Sequence, residues 1–226
     1  MRLLAIDTAL AICAAAVFDS ETDEVIASES IAMERGHAEA VMPLIARVMD
    51  AANLDFAALD TVAVTVGPGS FTGLRVGISA AKGIALAAGK PAVGVSTLAA
   101  FAAPCIAEDL ADTAVVALDA RHDHVYLQVF GGGGGTLWPA AYMPLVDAVG
   151  IVEGEVHLAG SAAQRLARLW PMDQPKPILL RAGPAPEIAW VARLGVAATP
   201  ESAPAKPLYL RAPDARPQEH KVLPWQ

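Results

Sequence analysis

The turn Gly67-Pro68-Gly69-Ser70 lies between an apolar run, residues 61–66, and a long segment rich in small residues, 71–88. A glycine-rich turn from strand to helix is where backbone amides can cradle phosphate. A phosphate loop of the G-x-x-x-x-G-K-[ST] type also needs a lysine and a hydroxyl, to manage charge and Mg²⁺. Here Gly67 to Gly73 has a different spacing and Leu74-Arg75 follows, so the phosphate-binding lysine is missing. A nucleophile elbow around Ser70 would require glycine where Pro68 and Thr72 stand. Asp119 and His157 do follow Ser70 in the order a hydrolase uses. Order alone is a weak signal, because Ser70 has a competing role as a helix cap.

The five histidines, His37, His122, His124, His157 and His220, form no H-x-x-H, H-x-x-x-H or H-E-x-x-H pattern. His122 and His124 can share one face of a strand start, but zinc needs a third ligand there and Asp123 alternates to the other face. They read as solvated turn residues. Asp7 and Asp119 offer a sharper possibility, since carboxylates on the first strands of related hairpins can position Mg²⁺ with a nucleotide between two lobes. The turns that follow, Asp7-Thr8-Ala9-Leu10 and Asp119-Ala120-Arg121-His122, contain no glycine to let backbone amides close on phosphate. The competing reading is that both aspartates cap strand-end turns.

Around these aspartates, the stretch from Ala5-Ile6-Asp7 to Val17-Phe18 aligns with Ala117-Leu118-Asp119 to Val129-Phe130 at a constant offset of 112 residues. Each copy is followed by a turn, 19–24 or 131–135, and by another strand-like run, 25–32 or 136–142. A duplicated β-hairpin opening two halves explains this, and chance likeness of apolar strands is the alternative. Alternation and breakers predict strands at 2–7, 11–18, 24–32, 61–66 and 92–96, with helices at 37–52, 71–88 and 97–107. The second half reads as strands near 113–119, 124–130, 136–142 and 156–159, with helices at 161–169 and 184–194. The expected architecture is a mixed α/β sheet with packed helices in each half, the second a shrunken copy. Prolines at 200, 204, 207, 213, 217 and 224 bar a helix from the tail, which is expected to wrap the surface or move freely.

Two helices carry most of the mechanical information. Helix 37–52 places Ala38, Val41, Met42, Ile45, Val48, Met49 and Ala52 on one stripe facing the sheet, with Leu44 and Ala51 off it. Helix 71–88 takes Ser70 as N-cap and Gly89 as a left-handed C-cap. It is apolar nearly all round, and Gly73, Gly77 and Ala81 form a flat ridge that another backbone can approach. Either helix 37–52 alone covers it, or the two helices form an exposed apolar pair awaiting a second chain.

Composition narrows the class. The 226 residues are 54% hydrophobic and 18% charged, enough for a well-buried α/β core. A net charge of −8 disfavours direct binding to a polyanion, so a nucleic-acid role needs a partner. The start, Met1-Arg2-Leu3-Leu4-Ala5-Ile6-Asp7, superficially reads as a secretory signal. Asp7 argues against it, at a cost of roughly 2.5–3.5 kcal/mol for a charge in the apolar region. With no apolar run of about 20 residues and with Cys13 and Cys105 apart in apolar segments, a cytoplasmic protein with reduced thiols and no membrane association is expected.

Leu4-Ala5-Ile6-Asp7-Thr8, the run Gly67-Pro-Gly-Ser-Phe-Thr-Gly-Leu-Arg-Val-Gly77, Ala81-Lys-Gly-Ile-Ala-Leu86, Val93-Gly-Val-Ser-Thr-Leu98, Asp119-Ala-Arg121 with Val125-Tyr126, and Pro207-Leu-Tyr-Leu-Arg211 resemble the TsaB (YeaZ) family. The resemblance spans both halves and the tail. It implies an actin-like, Hsp70-like ATPase-superfamily fold of two lobes, each from a βββαβα unit, the second reduced. The expected divisions are a first lobe at 1–108, a reduced second lobe at 109–199 and a Pro-rich tail at 200–226. It also implies a part in making N6-threonylcarbamoyladenosine at position 37 of tRNA, as a subunit rather than the catalyst. The related TsaD subunit carries metal-binding histidines where Thr97 and Phe101 stand here, and neither side chain can replace an imidazole ligand.

The resemblance further implies pairing with TsaD through the two apolar helices, with the TsaE ATPase joining the pair and tRNA reached only through the complex. No cofactor is expected on this chain alone, and ATP and metal are expected on the partner subunits. Combined with the helix stripes, it makes His37, Leu44, Arg47, Leu74, Arg75, Ile78 and Lys82 the expected contacts, with Gly67, Pro68, Gly69, Ser70, Gly73 and Gly77 as structural loop residues. The same surface could form a homodimer when the partner is absent. The alternatives are an ATP-dependent small-molecule phosphotransferase of the same superfamily, using Asp7 and Asp119, and a peptidase or hydrolase using Ser70.

Overall fold

The computed structural model describes residues 1–108, 112–152 and 154–211. It contains two five-stranded mixed sheets built to one plan. In the first, β1 (Arg2–Asp7), β2 (Ile12–Asp19) and β3 (Glu24–Ala32) form an antiparallel meander. After α1 (His37–Ala51), β4 (Thr61–Gly67) pairs parallel with β1; after α2 (Phe71–Ala88), β5 (Ala92–Ser96) pairs parallel with β4. The strand order is β3-β2-β1-β4-β5.

α3 (Thr97–Ala107) leads to the second sheet, which repeats the plan with β6 (Thr113–Asp119), β7 (His124–Gly131) and β8 (Thr136–Pro144) as its meander. Next come β9 (His157–Ala159), α4 (Ala163–Arg168), β10 (Ile178–Arg181) and α5 (Ile188–Val196). β9 pairs parallel with β6 and β10 parallel with β9, giving the order β10-β9-β6-β7-β8. Duplication is therefore the correct account of the sequence self-similarity. Among the described residues, turns replace a counterpart of α1 between β8 and β9, with Leu145 and Ala148 supplying the core there. β10 escapes sequence analysis because four residues flanked by prolines carry too little periodicity.

The constant offset does not survive in the hairpin register. Asp7 pairs with Ala14, whereas Asp119 pairs with Val125, so the second turn is one residue shorter. Because side chains alternate along a strand, one residue changes which face a position occupies. Phe18 accordingly packs with Leu3 and Ala5, whereas Phe130 packs with Val116 and Leu118.

Each half lends its last helix to the other half's sheet. α3 packs on β6 and β7, joining Leu98, Phe101 and Cys105 to Val116 and Leu118. α5 returns to β1, β2 and β4, where Val191 and Ala192 meet Leu3, Ala5 and Ala63. Sequence order puts α5 with the second half; its apolar face is buried on the first sheet. The opposite face of that sheet carries α1 and α2 through Leu4, Ile6, Val62 and Val64.

Candidate functional site: an open groove between two helices

The turn 67–73 is built around the β1–β2 connection. Ser70 N donates to Ala9 O at 2.7 Å, and Thr8 Oγ1 donates to Gly73 O at 2.7 Å. The Thr8 carbonyl occupies the space a Cβ at Gly73 would need, and the Ala9 carbonyl does the same at Gly69. Gly77 stands against Thr8 Oγ1 and Val64. The ridge of Gly73, Gly77 and Ala81 therefore faces the protein's own β1–β2 turn and β4. This corrects the expectation that the ridge is covered by helix 37–52 or left open to a second chain. Four-residue spacing identifies a close-packing face without saying what packs there. Ser70 is the N-cap, its Oγ accepting from Gly73 N at 3.3 Å, and Gly89 closes α2 at φ 67°.

The aspartates fare differently. Asp7 is fully buried; its Oδ1 accepts from Thr65 Oγ1 at 2.6 Å and from Ala9 N at 2.9 Å, while Oδ2 is buried without a partner. Burial pushes its carboxyl above the usual range, against the lowering effect of those two bonds. Asp119 is partly exposed and accepts from Arg165 at 2.8 Å and from Arg121 N at 3.2 Å. Both aspartates thus accept turn amides two residues on, as turn-capping aspartates do. Arg121, His122 and Asp123 in the second turn take left-handed φ values of 63°, 49° and 55°. Asp119 bonds arginine rather than histidine, and Ser70 serves its helix cap, so the order Ser70, Asp119, His157 assembles no triad. His124 Nδ1 lies 2.7 Å from His122 O. Among the described residues no three His, Cys, Asp or Glu side chains gather as metal ligands.

The feature left open lies on the outer side of α1 and α2. A groove of about 530 Å³ runs between Ala38, Val41 and Met42 of α1 and Phe71, Thr72, Arg75, Val76, Ser79 and Ala80 of α2. Met42 is 47% exposed and Leu86, further along α2, is 85% exposed. Arg75 lies 3.8 Å over the Phe71 ring. The groove is therefore lined mainly by apolar and small side chains, with Arg75 as the cation among them.

Most of the expected contacts do not lie on this surface. Leu44, Leu74 and Ile78 are buried in the first core, and Met42, expected against the sheet, points out. The correction rotates α1: the inward side carries Val41, Leu44, Ile45, Val48 and Met49. His37 is buried too, its Nε2 at 3.1 Å from both Leu10 O and Ile12 O. Carbonyls only accept, so Nε2 carries the proton and pins α1 to the β1–β2 connection. Arg47 is exposed but holds Glu29 through bonds of 2.9 and 2.6 Å. Of the expected set only Arg75 lines the groove; Lys82 is exposed on α2. Phe71, Val76 and Ser79 are groove residues that the sequence reading does not single out, and Met42 is one that it turns toward the sheet. No residue-type signal separates the two faces, since Val76 lines the groove and Leu86 is exposed whereas Gly77, Ala81 and Met49 are buried.

Residues 24–183 match the TsaD family model, described as tRNA N6-adenosine threonylcarbamoyltransferase. An uncharacterised protein of Mycobacterium tuberculosis is 36% identical over 216 residues, 95% of this chain and 94% of that one. The tRNA threonylcarbamoyladenosine biosynthesis protein TsaB of Escherichia coli is 35% identical over 126 residues, 56% of this chain and 53% of its own. The solved structure of YeaZ from Pseudomonas aeruginosa superposes with a TM-score of 0.75 at 26% identity, covering 92% of this chain and 99% of that one. The fold is the actin-like ATPase fold, two mixed α/β lobes of five strands each.

Proposed function

The chain belongs to the TsaB (YeaZ) family, and from that premise we propose that it is a non-catalytic subunit of the tRNA N6-threonylcarbamoyladenosine machinery, docking TsaD on the groove between α1 and α2. The observation that carries this reading is the groove itself: a mainly apolar lining that includes exposed Met42 and the cation Arg75, on two helices whose other faces are fixed in the core. Buried Thr97 and Phe101 support the absence of catalysis, since they fill positions at the start of α3 that metal-binding histidines would take in TsaD. ATP and metal then belong to the partner subunits, TsaE joins the assembled pair, and the net charge of −8 leaves tRNA to be held through the complex. The assembly works in the cytoplasm, where its tRNA substrates are. Without TsaD, the same groove admits a second copy of this chain.

The test uses Met42→Glu and Ser79→Glu, which put a charge into the groove without touching the core. Both are expected to abolish capture of the same organism's TsaD and reconstituted tRNA modification, at unchanged thermal midpoint. Full binding and modification by both variants would refute the docking assignment. Calorimetric titration of the isolated chain with Mg-ATP is expected to give no binding heat, and tight binding would favour the phosphotransferase reading instead.

A further inference from the structure

The segment that follows α5 runs from the first lobe to the second and on its way touches two residues of the groove. Gly94 N donates to Ala203 O at 2.8 Å, Val93 bridges Pro204, and Leu208 N donates to Val66 O at 2.7 Å. Two glycines admit it: a Cβ at Gly94 would stand 2.7 Å from Pro204 O, and one at Gly67 3.0 Å from Leu208 O. Tyr209 then stacks on Phe71 with centroids 5.0 Å apart, and Arg75 Nε donates to its hydroxyl at 3.2 Å. Two residues on, Arg211 donates to the Tyr142 hydroxyl at 3.3 Å and lies 5.4 Å over that ring. Tyr142 belongs to β8 and stacks on His124 at 4.8 Å. A line of contacts thus runs from the second lobe through Arg211 and Tyr209 to Phe71 and Arg75, both of which line the groove.

We propose that residues 203–211 form a strap, with Tyr209 as a positioning residue that presets Phe71 and Arg75 for the partner, and with Arg211 making docking respond to the second lobe. An arginine at an exposed helix start loses rotamer freedom when it is captured in an interface. Tyr209 takes that freedom away beforehand, by accepting from the guanidinium and flooring the ring beneath it. The strap also explains why a tail that cannot form a helix is seated by two backbone hydrogen bonds, one to Gly94 and one to Val66. The inference rests on the docking reading.

Affinity for TsaD, measured by calorimetry on the full chain, tests it. Tyr209→Phe keeps the stack but removes the acceptor for Arg75, and is expected to weaken docking about threefold; Tyr209→Ala about tenfold. Tyr142→Phe, on the other lobe, is expected to weaken docking about twofold in the natural chain and not at all in the Tyr209→Ala background. That non-additivity separates coupling through the strap from general loosening, and Tyr209→Phe retains the test if Tyr209→Ala folds poorly. Natural affinity in both Tyr209 variants, or an equal effect of Tyr142→Phe in both backgrounds, would overturn the strap. Met42→Glu serves as the control: if it also binds normally, the docking reading itself has failed, whereas if it loses binding, the Tyr209 and Tyr142 variants decide for or against the strap.

Discussion

Gly73 has no side chain because the Thr8 carbonyl stands where a Cβ would be, and that close approach fixes α2 to the β1–β2 turn. Overpacking such a site costs about 1–3 kcal/mol or more, because the obstacle is backbone and cannot rotate away. Gly73→Ala is expected to lower the unfolding free energy by that amount, read as a fall in the urea midpoint at unchanged slope, and an unchanged midpoint would show the approach to be looser. Asp7 gives a second expectation at this scale. Its folded pKa is raised above the ordinary 3.8 by burial, so the native chain keeps the proton to higher pH than the unfolded chain does. Its contribution to stability is complete below that ordinary value and is lost as pH rises through the folded value. Unfolding free energies of the natural chain and Asp7→Asn, compared between pH 4 and 7, are expected to shift in favour of the variant as pH rises. A shift in favour of the natural chain would mean that the charged carboxylate is the stabilised form. The identity of both residues stands out in the sequence, but the carbonyl against Gly73 and the burial of Asp7 depend on segments distant in the chain.

At the scale of elements, caps and stripes differ in what they reveal. The bounds of α2 are legible because Ser70 and Gly89 act locally, by a side-chain acceptor and a positive φ. The rotation of α1 is not, because Ala38 and Met42 extend the apolar arc to one side while Leu44 extends it to the other. Only the position of the sheet selects between them. Leu44→Ala is therefore expected to cost about 2–5 kcal/mol as a core cavity, read as a fall in thermal midpoint. Met42→Ala should stay within about 0.5 kcal/mol of the natural stability while weakening capture of TsaD. The reverse pattern would restore the sequence-derived rotation.

For the whole molecule, the exchange of terminal helices makes each lobe depend on the other's sequence. Trp190 reports from α5 on the first sheet and buried Trp170 from the second core. Tryptophan emission and far-UV circular dichroism are expected to give one coincident urea transition; two separated transitions would show the lobes to be independent. Gly195, on α5, supports the same point, since a Cβ there would meet the Ala63 Cβ at 2.5 Å on β4. The second half thus closes the first half's core. The strap adds a second crossing, from Val66 and Phe71 to Tyr142.

By itself the sequence determined the element order of the first half, the caps of α2, the duplicated plan and the family, since these rest on local spacing and on motifs that keep their residue types wherever the chain goes. The three-dimensional packing alone decided the one-residue shortening of the second hairpin, the rotation of α1, the crossing of α3 and α5, and the seating of Tyr209 on Phe71. Each depends on which surface arrives opposite a given side chain, and residues 134 positions apart, as Arg75 and Tyr209 are, share no periodicity that could announce their contact.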